Sequence, residues 1–152
     1  MSPATGNVLR RVGTTGSTWT VIGGPGRQFA ANDDALYAIS ADGAHVMRYN
    51  GSTWTSIGGA SRQLVVGGHK VFSIDPVTGN VSRYDNSPNA WTVIGGPGSQ
   101  FAVASDGRLY ALTSNRQAVM RFDEAPSAPR GRRSEAPRRR SSPRAPRSTR
   151  CA

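Results

Sequence analysis

Hydrophobic positions along this chain come in short runs, each closed by residues that turn the backbone. From Trp19 the runs occupy residues 19–22, 28–31, 36–40 and 45–49. Between them stand Gly23-Gly24-Pro25-Gly26, Asn32-Asp33-Asp34 and Asp42-Gly43. Glycine reaches positive φ, proline presets a turn, and Asn or Asp bonds its own backbone, so each interruption reverses the chain. Four short strands joined in an antiparallel meander are predicted, and no stretch keeps the 3.6-residue spacing of an amphipathic helix.

The meander repeats. Trp19-Thr-Val-Ile-Gly-Gly-Pro-Gly returns unchanged from Trp91, and Trp54-Thr-Ser-Ile-Gly-Gly lies between them. The tryptophans are 35 and 37 residues apart. Leu36-Tyr37-Ala38-Ile39 matches Val71-Phe72-Ser73-Ile74 and Leu109-Tyr110-Ala111-Leu112. Val46-Met47-Arg48-Tyr49 matches Val81-Ser82-Arg83-Tyr84 and Val119-Met120-Arg121-Phe122. A single four-stranded sheet of this size cannot bury both its faces, so the units must pack on one another. The predicted fold class is all-β: three four-stranded antiparallel propeller blades, an incomplete β-propeller, followed by a disordered tail. Residues 1–16 supply the last strand of a preceding blade, residues 17–51, 52–90 and 91–124 are blades, and 125–152 form the tail. A β-solenoid or an open sandwich is the rival, but its coils would show shorter periods and fewer turns per repeat.

The pattern Trp-Thr-x-Ile-Gly-Gly, then Leu-Tyr-Ala, then Val-x-Arg-Tyr-Asn-Gly resembles the tachylectin/tectonin-type propeller repeats found in many bacterial proteins. The resemblance covers residues 1–124 and leaves the tail outside. It implies a ring of five to seven blades, and, as in several family members, sugar binding at or between blades. It also implies a fragment of a longer ring. Pro3-Ala-Thr-Gly-Asn-Val-Leu-Arg matches Pro76-Val-Thr-Gly-Asn-Val-Ser-Arg, so the chain enters its repeat part-way through a blade. Three blades are too few to close a ring, which makes self-association to complete one an expectation. After Glu124 the periodicity stops. Gly131-Arg132-Arg133-Ser134 can be encoded so that the text one base over reads Val-Gly-Gly-Pro, which makes a frameshift a second expectation.

Charge changes the picture only at one end. The chain carries a net +10, but residues 125–152 hold nine arginines against Glu135 alone. Pro, Arg, Ser and Ala without apolar residues cannot offset the entropy of ordering, so this tail is expected to be disordered. Its arginines suit salt-dependent binding of nucleic acid, without base stacking because no aromatic residue is interleaved. Cys151 is the only cysteine, which excludes an intrachain disulfide. No apolar run approaches the ~18 residues of a membrane span, and the N-terminal residues lack the apolar core of a secretory signal. No compartment follows from this.

Enzyme chemistry finds little support. His45 and His69 are the only histidines, and neither recurs with Asp, Glu or Cys at metal-ligand spacing. Asp33, Asp34, Asp42, Asp75 and Asp106 sit in turns, where carboxylates bond backbone amides. No cofactor is called for. A binding role fits better. Trp19, Trp54 and Trp91 recur once per unit, and an indole offers a flat apolar face and one N–H donor, as a sugar ring requires. Arg27, Gln28, Arg62, Gln63 and Gln100 follow the Gly-Gly turns and bring planar polar groups near those aromatics. Packing between blades competes as the role of the tryptophans, and a solvated loop as that of the polar residues. The expected function is non-catalytic recognition of glycans at repeated inter-blade sites, with a protein-interaction scaffold or nucleic-acid binding through the tail as alternatives.

Overall fold

The computed structural model describes residues 6–16 and 18–122. The tail expected over residues 125–152 lies outside the described residues, and with it the expected nucleic-acid contact.

Thirteen strands form, with no helix among the described residues. They are β1 (Val8–Arg11), β2 (Trp19–Gly23), β3 (Gly26–Ala31), β4 (Leu36–Ser40), β5 (Val46–Tyr49), β6 (Trp54–Gly58), β7 (Gln63–Gly67), β8 (Lys70–Ile74), β9 (Val81–Tyr84), β10 (Trp91–Gly95), β11 (Gly98–Val103), β12 (Leu109–Thr113) and β13 (Val119–Phe122). Every pairing is antiparallel. The first sheet is β1–β2, the second β3–β4–β5–β6, the third β7–β8–β9–β10 and the fourth β11–β12–β13.

The protein is therefore all-β with repeated antiparallel sheets, but the sheets are phased differently from the sequence units. Two sheets have four strands, one has three and one has two. Each tryptophan strand closes a sheet instead of opening one, so β6 pairs with β5, Tyr49 facing Trp54. The N-terminal strand β1 is correspondingly the last but one of its unit, with β2 beyond it. Local chemistry explains the phase. Asn50 accepts the Ser52 and Thr53 amides on its side-chain oxygen, each at 2.9 Å, and Gly51 takes φ 101°, which folds β5 tightly back onto β6. The Gly-Gly segments that look like hairpin turns make no such closure. They carry the chain from the last strand of one sheet to the first of the next.

The central strands show why the sheets need each other. In β8 Val71, Phe72, Ser73 and Ile74 are all buried, so both faces of the strand are covered. Tyr37, Ile39, Val46, Ile57, Leu64, Val71 and Tyr84 form one core between the second and third sheets. Phe72, Ile74, Val81, Phe101, Leu109 and Ala111 form another between the third and fourth. Of the first strands, β3 and β11 both lie against β7. There the Gln28 amide donates to the Leu64 carbonyl at 2.7 Å and accepts the Leu64 N–H at 2.9 Å. A side chain of one sheet thus satisfies the open backbone edge of the next, where unpaired polar groups would be costly.

Candidate functional site

The first two boundaries between sheets are each wedged by a tryptophan from the later sheet. Trp54 donates its indole N–H to the Ile22 carbonyl at 2.6 Å, and Trp91 donates to the Ile57 carbonyl at 2.7 Å. The seat beneath each ring is a glycine. A Cβ at Gly23 would meet Trp54 Nε1 at 2.6 Å, and one at Gly58 would meet Trp91 Nε1 at 2.7 Å. That close approach is why the Ile-Gly pair recurs with the tryptophan. Each ring also meets the tyrosine across its ladder, Tyr49–Trp54 at 5.1 Å and Tyr84–Trp91 at 5.0 Å between centroids.

Beside each wedge is a pocket. The first, about 420 Å³, is bounded by Gly24, Pro25 and Gly26 of the inter-sheet link, by Phe29, Ala38, Ile39 and Ser40, by His45 and Met47, and by Trp54. The second, about 210 Å³, is bounded by Gly58, Gly59 and Ala60, by Ser73, Asp75 and Ser82, and by Val46 and Trp91. The two occupy the same place in the repeat: the glycine link, Ala38 against Ser73, Ser40 against Asp75, Met47 against Ser82 and Trp54 against Trp91 correspond. Their chemistry differs. The first presents Phe29, Met47 and Pro25, while the second presents two serines and a carboxylate.

Asp75 is held by its own turn. One carboxylate oxygen accepts the Thr78 amide at 2.6 Å, the Val77 amide at 2.9 Å and the Thr78 hydroxyl at 2.9 Å. These bonds, the Thr78 amide foremost, hold its carboxyl below the usual range and keep a negative charge at the second pocket. Ser73 is less free, because its hydroxyl donates to Ser61 Oγ at 2.8 Å, which in turn donates to the Gln63 carbonyl at 3.0 Å. The depressed Asp75 pKa fixes the sign of an acid effect. A carboxyl with a lower pKa folded than unfolded stabilises the fold above its unfolded pKa, and that increment disappears as pH falls through the folded value. Asp75→Asn is therefore expected to lower the urea midpoint above about pH 5, with the gap to the parent chain closing below about pH 4. A gap that is constant down to the acid transition would contradict the bonding scheme.

The structure separates the sequence-proposed binding residues. Trp54 and Trp91 line the pockets, but their N–H groups are engaged by isoleucine carbonyls, so each offers a ligand only its ring. Trp19 is 55% exposed and lines neither. Gln28 is engaged by Leu64, and Arg27 lies against Gly43. Arg62 and Gln100 are exposed and Gln63 is half-buried, and none of the three borders either pocket. The residues that do line them, Ala38, Ser40, Met47, Ser73, Asp75 and Ser82, carry one visible signal. They vary between copies while the tryptophan, isoleucine and glycine framework does not.

A third cleft, about 410 Å³, is bounded by His69, Lys70, Arg83, Tyr84, Asp85 and Asn86. Arg83 pairs with Asp85 at 2.9 Å and Thr92 donates to Asp85 at 2.6 Å, so the carboxylate of this cleft is already engaged. Among the described residues no three His, Cys, Asp or Glu side chains come together to hold a metal ion. No helix among them is long and apolar enough to cross a membrane. Compared with protein-family models and with curated proteins, the chain matches none.

Proposed function

We propose that this chain is a non-catalytic carbohydrate-binding module, its sheets the blades of a tachylectin/tectonin-type propeller and its inter-sheet pockets the sugar sites. The observation that carries the reading is the recurrence of one pocket at two successive sheet boundaries, each walled by an indole ring and a glycine link. An aromatic wall covers the C–H face of a sugar, and serine and aspartate oxygens accept from its hydroxyls. Cavities of this size suit one or two sugar rings better than a protein surface, which is what favours glycans over a scaffold role. Repetition suits weak sites that act together on a multivalent glycan, where avidity adds what each pocket lacks.

A glycan array probed with the full chain tests this. Gly24 and Gly59 border the two pockets, and a Cβ at either would meet no heavy atom within 4 Å. Gly24→Phe and Gly59→Phe therefore obstruct one pocket each while leaving the tryptophan wedges intact. Each single variant is expected to reduce array signal by about tenfold to a hundredfold through lost avidity, and the double variant to abolish it. An array without signal for the parent chain, or an unaffected double variant, would remove the sugar reading.

A further inference from the structure

The internal boundaries show what the tryptophan of a closing strand requires: a glycine seat, an isoleucine carbonyl and an aromatic partner across the ladder. Trp54 and Trp91 have all three. Trp19 holds the same strand position, yet it is 55% exposed and faces Arg11 across the β1–β2 ladder. At the other end of the molecule the complement is found. Gly95, the counterpart of Gly23 and Gly58, is covered by the Phe122 ring, although Phe122 is the counterpart of Tyr49 and Tyr84. The fourth sheet has no strand beyond β13 among the described residues. Val119 on that strand is 71% exposed, whereas its counterparts Val46 and Val81 are 1% and 0% exposed beneath the next sheet.

We infer that two copies of this chain associate by exchanging β2. In the pair, β2 of each copy leaves β1 and adds to β13 of the other, which places Trp19 opposite Phe122 as Trp54 is opposite Tyr49 and Trp91 opposite Tyr84. The indole then takes the seat over Gly95, Phe122 swings back to face it, and the second sheet of the incoming copy covers Val119. Among its described residues each copy then holds three complete four-stranded sheets, and the six of the pair lie within the range over which stacked sheets close into a ring. The exchange gives up little. A two-stranded ribbon such as β1–β2 is marginal on its own, and swapping an identical element between protomers is a low-cost route to a dimer. The arrangement is independent of what the pockets bind.

Sedimentation equilibrium on the full chain tests the exchange with three single substitutions. The parent is expected to reach twice the chain mass. Trp19→Ala removes the ring that would be seated, and Val119→Glu puts a charge where the second copy would cover it. Both positions are exposed in the single chain, so circular dichroism is expected to be unchanged in either. Each is expected to weaken association by roughly a hundredfold. Val77→Glu, at a turn position 91% exposed, is expected to dimerise like the parent. A parent that stays at one chain mass at the highest concentration reached overturns the inference. So does an assembly of any other number of copies, or Trp19→Ala and Val119→Glu variants that associate as Val77→Glu does.

Discussion

Trp91→Ala is expected to cost about 3 kcal/mol of unfolding free energy, the low end for loss of a large aromatic because the ring is only partly buried. Three contacts disappear together. The indole leaves its seat over Gly58, the tilted 5.0 Å ring contact with Tyr84 is lost, and the N–H bond to the Ile57 carbonyl goes. Trp91→Phe separates these terms. It keeps a smaller ring against Tyr84 and removes the donor with part of the surface over Gly58, while the Ile57 carbonyl still accepts the Asn89 amide at 2.9 Å, so an intermediate cost of about 1–2 kcal/mol is expected. Trp19→Ala, dilute enough that chains stay apart, is expected to fall within about 0.5 kcal/mol of the parent because the ring is exposed. Urea titrations followed by far-ultraviolet circular dichroism give all three values without relying on tryptophan emission. Equal costs at Trp19 and Trp91 would show that the wedge is not what joins the sheets.

The contrast between those tryptophans also shows how much of the molecule could be read from its residues. Strand positions were legible because they depend on neighbours in sequence: Leu36–Ser40 is predicted and found with the same ends, and Asp42-Gly43 turns the chain as its chemistry requires, with Gly43 at φ 78°. Which strands share a sheet was not legible. Gly23-Gly24-Pro25-Gly26 reads as a turn within a blade and the Gly51/Ser52 junction as a boundary between blades, whereas in the fold the first links two sheets and Asn50-Gly51-Ser52-Thr53 closes a hairpin. The difference lies in where the next strand finds its partner, which is a property of the packed stack.

The candidate site was half legible for the same reason. The indoles of Trp54 and Trp91 line pockets, but their N–H groups answer carbonyls more than 30 residues away in sequence. Gln28 looked like a ligand-binding amide at a strand end. Its partner, the Leu64 backbone, lies 36 residues on and is brought near only when one sheet docks on another. The pocket residues Ser73, Asp75 and Ser82 were hidden because they break the repeat, and a search for what recurs passes over them.

Docking of successive sheets is most exposed to disruption where backbone meets backbone. Gly68, in the turn from β7 to β8, has φ +53°, and a Cβ there would stand 2.7 Å from the Ser105 carbonyl oxygen and 3.1 Å from the Gly107 nitrogen. Those atoms belong to the turn between β11 and β12 in the next sheet, so no side-chain rotation relieves the clash. Gly68→Ala meets two costs at once. A non-glycine residue in the left-handed region costs about 1–2 kcal/mol, and overpacking against fixed backbone adds about 1–3 kcal/mol. A combined loss of about 2–4 kcal/mol is expected. Gly96→Ala is the matched control, since its φ lies outside that region and a Cβ meets nothing within 4 Å. There, removing a glycine from the unfolded ensemble is expected to leave stability unchanged or raise it by about 0.4–1 kcal/mol. Opposite signs for these two glycine-to-alanine changes, measured as urea midpoints on otherwise identical chains, would show that the cost at Gly68 comes from its left-handed backbone and the contact between the turns of the third and fourth sheets together. Equal effects would mean that neither constrains this position.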